Sequence, residues 1–160
     1  NTQSGYVVLI LLLVNLLVGA EHVLNWIDIK WYRFLQMSRR YIGIFCGLYA
    51  VMHFFSYLGK ESFLPKAWDQ IVTKNYLIAG TITLIILLIL TVTSNNYSTR
   101  LLKNKWKKLH RLVYLACFVV LFHIFQIEKA NLVLLGLLVT PAVILEAIRL
   151  GRFLASNASS

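Results

Sequence analysis

Acidic side chains are scarce in this sequence: six aspartates and glutamates stand against sixteen lysines and arginines among 160 residues, for a net charge of +10. Cysteines and prolines number two each. The longest polar stretch between apolar runs is about 20 residues, too short to fold a separate nucleotide-binding or protease module. Cys46 and Cys117 both sit inside apolar runs without Cys-x-x-Cys spacing. That excludes a zinc knuckle or an oxidative staple and leaves them as small buried fillers. There is no Gly-rich phosphate loop, no long internal repeat and no low-complexity tract.

What is abundant is apolar surface. The chain is 59% hydrophobic and has a mean hydropathy of +0.71, far outside the range of a water-soluble domain of this size. Its length admits at most about six membrane-spanning helices of roughly 20 residues. Uncharged runs cover Gly5 to Ala20, Tyr41 to Gly59, Asn75 to Thr99, Leu112 to Ile127 and Ala130 to Leu145. With helix-compatible flanks whose long stems reach the headgroups, they predict five spans, at about 5–22, 40–59, 75–94, 107–127 and 130–150. The expected fold is one all-α membrane bundle over residues 1–160. Val18-Gly19-Ala20 has the small-x-small form of a signal cleavage site, but no basic stretch precedes it, so the first run is read as a retained span. The Glu128-Lys129-Ala130-Asn131 link is short enough to force an antiparallel hairpin. Pro65 falls in a loop, and Pro141 falls mid-span, where neighbouring helices can satisfy the freed carbonyl.

The cations alternate by connection. Lys30, Arg33, Arg39 and Arg40 lie between spans one and two; Arg100, Lys103, Lys105, Lys107, Lys108 and Arg111 lie between spans three and four with no acid among them; Arg149 and Arg152 follow span five. The other side holds Lys60, Lys66, Lys74 and Lys129 against Glu61, Asp69 and Glu128. The positive-inside rule therefore predicts an N-terminus outside and a C-terminus in the cytoplasm. Trp26, Trp31, Tyr32 and Trp106 are expected at the inner interface, with Trp68 and Tyr76 at the outer one. Anionic lipid accounts for the basic loops, and a nucleic-acid function is not indicated.

Ionisable or ligating residues inside a bilayer are costly, and each is a functional candidate. His53 lies about 13 residues beyond Arg40 and His123 about 15 beyond Lys108, so both sit roughly 20 Å from the inner boundary at about 1.5 Å per residue. The two spans run in the same direction, so the imidazoles reach one level and a ligand between them could take one from each side. Haem iron accepts axial histidines, and Phe45, Tyr49, Met52, Phe54, Tyr57, Phe118 and Phe122 supply a fitting apolar shell. Zinc is less natural, because no thiolate or carboxylate converges at this depth. The plain alternative is a pair of histidines bonded to carbonyls of neighbouring helices. His110 lies at the inner mouth of span four, where it is either solvated trim or part of a second redox site, with Arg39, Arg40, Lys107 and Lys108 for propionates or a flavin phosphate. Residues 13 apart differ by about 220° on an ideal helix, so His110 and His123 share a face only where the helix is locally over- or under-wound. His22, next to Glu21, reads as boundary trim. Gly43, Gly47, Gly80 and Gly136 could admit close helix or macrocycle approach.

Arg39-Arg40-Tyr41-Ile42-Gly43-Ile44, then Tyr49 and His53-Phe54-Phe55-Ser56-Tyr57-Leu58, resembles the Arg-Arg-x-Leu-Gly…His-Phe-x-x-Tyr signature of the MsrQ (YedZ) family, haem-binding membrane subunits of the periplasmic methionine sulfoxide reductase system within the ferric-reductase-like superfamily. Tyr76-Leu77-Ile78-Ala79-Gly80 and Leu90-Thr91-Val92-Thr93-Ser94 resemble its next helix. Trp106-Lys107-Lys108-Leu109-His110-Arg111-Leu112-Val113-Tyr114-Leu115 with His123 resembles its most distinctive segment. The likeness runs from about Gly5 to Phe125. It implies His53 and His123 as axial ligands of one b-type haem, and it associates His110 with a second, inner haem where the chain holds two rather than one. Cofactor contacts would fall to Arg39, Arg40, Tyr57, Trp106, Lys107, Lys108 and Arg111. It also implies the bacterial inner membrane, a periplasmic molybdenum-cofactor methionine sulfoxide reductase as partner, and electrons from a cytoplasmic flavin reductase, through FMN, or from the quinol pool. The family has a further helix ahead of Gly5, so this sequence is that of a shortened relative or a trimmed chain. Lys74-Asn75-Tyr76 stands where Arg-Pro-Tyr is usual, and Gln126 where a Trp commonly follows the last ligand.

The expected function is transmembrane electron transfer without a substrate-turnover site. One rival is a stand-alone ferric or quinone reductase of the same superfamily, marked by turnover with ferric chelate alone. The other is a haem-free membrane scaffold, marked by the lack of a chromophore.

Overall fold

The computed structural model describes residues 2–24, 29–60, 64–127 and 131–158. Eight helices follow one another: α1 (Thr2–Leu24), α2 (Ile29–Lys60), α3 (Leu64–Thr73), α4 (Asn75–Val92), α5 (Asn96–Leu102), α6 (Asn104–His110), α7 (Leu112–Phe125) and α8 (Leu132–Ala158). Four stretches are long and apolar enough to cross a membrane: Met37–Lys60, Asn75–Val92, Asn104–Phe125 and Leu132–Arg152. The first apolar segment, Gly5–Val18, is helical but shorter, so four of the five expected spans meet the length of a bilayer core. Trp26, the Glu128-Lys129-Ala130 link and the side chains of His22, Trp31 and Tyr32 lie outside the described residues.

Helix α2 begins well before the expected span and runs straight through Arg39-Arg40. No Gly or Pro stands between Ile29 and Arg40, and Lys, Arg, Leu, Gln and Met all favour helix. The stretch expected as a loop around Pro65 contains α3, a strongly amphipathic helix of 10 residues with Ala67 buried and Trp68 exposed. Pro65 stands in its first turn, where a missing N–H costs nothing. The basic connection is also helical. The Asn95 side chain accepts from Ser98 N–H at 2.7 Å to cap α5, and Lys103, at φ 46°, turns the chain into α6. Pro141 is accommodated inside an unbroken α8.

Helix α4 is the centre of the packing. It lies against both α7 and α2, α3 rests on its first turns, and α1 packs on α2, α7 and α8. The core joins Leu9, Leu12 and Leu16 of α1 to Cys46 and Ala50 of α2, Ile86, Leu87 and Leu90 of α4, and Ala116, Cys117, Val120 and Ile124 of α7. Both cysteines are buried and free, as fillers should be, and Cys46 Sγ lies 3.7 Å from the Val8 carbonyl. Gly47 allows the α2–α4 crossing: a Cβ there would collide with the Thr91 hydroxyl. Gly136 faces open space and has no such part.

Candidate functional site

His53 on α2 and His123 on α7 line one cavity of about 610 Å³. The helices that carry them are held apart by α4, whose Tyr76, Gly80, Thr83, Leu84 and Leu87 form a third wall, while Gly5 and Val8 of α1 contribute to the lining. This volume is in the range of cofactor sites, about 300–1,000 Å³. His123 is fixed by the backbone. Its Nδ1 lies 2.5 Å from the Tyr76 carbonyl oxygen. A carbonyl can only accept, so Nδ1 carries the proton and Nε2 keeps its lone pair, the arrangement that prepares an imidazole for metal ligation. Gly80 makes room for the ring, because a Cβ there would stand 2.9 Å from His123 Cε1 and 3.0 Å from Nδ1.

The cavity is graded in polarity. Ala50, Leu84, Leu87 and Val120 are apolar, whereas Ser56, Tyr57, Lys60, Lys74 and Gln126 bring hydroxyls, ammonium groups and an amide to the α3 end. Tyr57 and Lys74 meet at Gln70 of α3, whose Oε1 lies 3.5 Å from the Tyr57 hydroxyl and 3.0 Å from Lys74 Nζ. Gln126 Nε2 is buried and makes no hydrogen bond. Two imidazoles lining one largely apolar cavity, with an amide donor left unsatisfied in its wall, fit a planar metal macrocycle bearing acidic substituents. No group of three or more His, Cys, Asp or Glu side chains among the described residues could hold a bare metal ion.

A second cavity of about 570 Å³ lies at the basic end of the bundle and is lined by Asn15, Arg39, Arg40, Trp106, Lys107, His110, Arg111, Tyr114 and Arg149, among others. Leu87, 3% exposed, lines both cavities and forms the wall between them. His110 and His123 thus face different cavities. The helix between them is over-wound at Arg111, where Arg111 N–H bonds to the Lys108 carbonyl at 3.2 Å and Tyr114 N–H to the Arg111 carbonyl at 3.1 Å, both i to i−3. His110 Nε2 sits 3.2 Å from Thr93 Oγ1, and its ring stacks on Trp106 at 4.0 Å and 27°. Trp106 Nε1 in turn donates to the Thr93 carbonyl at 2.9 Å. No other histidine lines this cavity. Arg39 Nε donates to Asn15 Oδ1 at 3.0 Å, and Asn15 Nδ2 donates back to the Arg39 carbonyl at 2.9 Å. Arg40 donates to the Ser94 carbonyl and to Asn96 Oδ1. Of the candidate cofactor contacts, Arg39, Arg40, Trp106, Lys107 and Arg111 line this cavity, Tyr57 lines the other, and Lys108 lines neither.

The family model described as "Ferric reductase like transmembrane component" matches residues 4–121. The chain belongs to that family. As a ferric-reductase-like component it carries His53 and His110 inside the matched region and His123 two residues beyond it. It is similar to the protein-methionine-sulfoxide reductase heme-binding subunit MsrQ of Deinococcus radiodurans, with 34% identity over 116 residues, 71% of this chain and 55% of the relative. The chain thus spans about half the length of this curated relative. No solved structure matches it. Sequence reasoning missed three parts of the site: Asn15, whose signal is one amide in an otherwise apolar run; the wall supplied by α4, signalled only by Gly80; and Gln70, hidden in an unforeseen helix.

Proposed function

We propose that this chain is a b-type haem-binding electron-transfer subunit of a periplasmic methionine sulfoxide reductase system in the bacterial inner membrane. The observation that carries the reading is the pair His53 and His123 on one apolar cavity, with His123 Nδ1–H held by the Tyr76 carbonyl. The likeness to a relative named as a heme-binding subunit supports it. When bound, haem supplies one-electron iron chemistry. His53 and His123 would hold it, and ligation by two imidazoles would suit outer-sphere transfer over substrate turnover. Gly80 leaves room for the His123 ring in the position that the Tyr76 carbonyl fixes, and the apolar lining excludes water, a lever on potential.

The charge pattern places the α3 end outside and the basic end in the cytoplasm. Electrons then enter at the second cavity. Arg39, Arg40, Lys107 and Arg111 suit an anionic donor group there, the FMN phosphate of a flavin reductase or the propionates of a second haem, and a quinol from the membrane is the other source. His110, bonded to Thr93 and stacked on Trp106, positions that wall. Electrons leave at the α3 end to a molybdenum-cofactor partner.

The test is the oxidised and dithionite-reduced visible spectrum of the protein in detergent, with a pyridine haemochrome count per chain. One low-spin bis-histidine haem per chain is expected, lost in His53→Ala and in His123→Ala and retained in His110→Ala with slower reduction by an inner-face donor. Loss of half the haem in His110→Ala assigns it a second site. Full haem in either His53→Ala or His123→Ala overturns the ligand assignment, and a colourless protein that takes up no added haem overturns the reading. Turnover of ferric chelate without a partner protein would instead make the chain a reductase in its own right.

A further inference from the structure

The mouth of the His53–His123 cavity is built from three helix ends. Lys60 closes α2, Lys74 stands between α3 and α4, and Gln126 follows the last turn of α7; all three line the cavity, and no aspartate or glutamate lines it with them. Lys60 and Lys74 are exposed, as ammonium groups at a membrane boundary should be. Gln126 is different, because its Nε2 is shut away from solvent with no acceptor. A buried donor without a partner loses its hydration and gains nothing in return, and such a group in a cavity wall marks the place of an acceptor brought by a ligand. The opposite end of the same cavity, at Ala50, Leu84, Leu87 and Val120, is apolar apart from Thr83, whose hydroxyl is spent on the Ala79 carbonyl at 3.0 Å. The cavity is therefore amphipathic along its length, with one apolar end and one cationic end, and the two imidazoles line it with them.

We propose that Lys60, Lys74 and Gln126 form an anion-binding rim that takes the carboxylates of the macrocycle held by His53 and His123, so that its acidic edge points to the α3 end and its hydrocarbon edge to Leu87. The inference rests on the haem reading above and adds an orientation and three binding residues. An ammonium group makes charge-assisted hydrogen bonds to a carboxylate, and the Gln126 amide supplies the neutral donor. Lys74 already donates to Gln70 Oε1 at 3.0 Å, which holds its stem over the mouth and leaves two of its three protons for a ligand. Gln70 Oε1 also lies 3.5 Å from the Tyr57 hydroxyl, so α3 braces the rim from above.

The test separates the rim from the ligands. Apoprotein in detergent is titrated with haem b and with its dimethyl ester, which keeps the iron and the ring but carries no carboxylate charge. The native protein is expected to favour haem b by about tenfold or more, the scale of one lost charged hydrogen bond. Lys60→Met with Lys74→Met, and separately Gln126→Leu, are expected to lower affinity for haem b several-fold, to leave the ester unchanged and to keep the low-spin bis-histidine spectrum. Lys74→Arg, which keeps the cation, is expected to retain haem b binding. Equal affinity of the native protein for the two compounds, or an equal loss of both in the variants, overturns the rim. A native protein that binds neither compound overturns the haem reading itself.

Discussion

A methyl group at position 80 has nowhere to go. It would stand closer to His123 Cε1 than real Cβ atoms approach a neighbour, and what it meets is a ring tied to a backbone carbonyl rather than the free end of a flexible chain. Gly80→Ala must therefore move the imidazole off Tyr76 or push α4 away from α7. Overpacking of this kind costs about 1–3 kcal/mol, and the hydrogen bond adds about 1 kcal/mol. The expected outcome is a fall in haem uptake and a changed low-spin electron paramagnetic resonance signal. Gly136→Ala is the control, because nothing lies within 4 Å of a Cβ there; it should leave haem untouched and gain about 0.5–1 kcal/mol of helix stability. An unchanged resonance signal in Gly80→Ala would show that the ring does not depend on this gap. Sequence reading reached Gly80 as a place of close approach but not its neighbour, since which helix faces a glycine depends on packing across the bundle.

At the scale of helices, the basic end of the joint between α1 and α2 is tied by one reciprocal pair. Asn15 gives its amide to the Arg39 carbonyl and receives the Arg39 guanidinium, which ties an apolar helix to a basic one where α2 passes from its charged start to its apolar run. A buried or half-buried donor left without its acceptor costs about 1–3 kcal/mol, more for a charged one. Asn15→Leu is thus expected to lower the thermal midpoint in detergent. Asn15→Leu combined with Arg39→Leu should cost less than the sum of the two, because the second change removes the stranded charge; strict additivity would show that the pair does not couple. The histidine-bearing helices and their apolar runs were legible because a bilayer demands long uncharged stretches and isolates each polar residue against them. The starts of α2, α3, α5 and α6 were not. Charge marks where a span ends, but it does not end a helix, and Lys and Arg continue one readily. The over-winding at Arg111 was legible only as a condition for His110 and His123 to share a face, and the structure meets it while sending the two rings to separate cavities.

Across the whole molecule, two cavities at opposite ends meet at Leu87, and charge divides in the same direction. The basic end gathers Arg39, Arg40, Arg100, Lys103, Lys105, Lys107, Lys108 and Arg111 without an acid in α5 or α6, whereas Asp69 accompanies Lys60 and Lys74 at the α3 end. Positive residues near helix ends are retained on the cytoplasmic side, so the proposed function puts electron entry at the cavity with His110 and exit at the one with His53 and His123. The direction is testable without haem. Both native cysteines are buried in the core and can be replaced by alanine or serine, after which single cysteines are placed at two exposed positions, Thr73 at the end of α3 and Lys105 in α6. In intact spheroplasts a membrane-impermeant maleimide should label Thr73→Cys and spare Lys105→Cys; after lysis it should label both. Labelling of Lys105→Cys in intact cells would reverse the molecule in the membrane. It would also move the His53–His123 cavity to the cytoplasmic half, which would leave a periplasmic partner facing the arginine pair instead of the lysine rim.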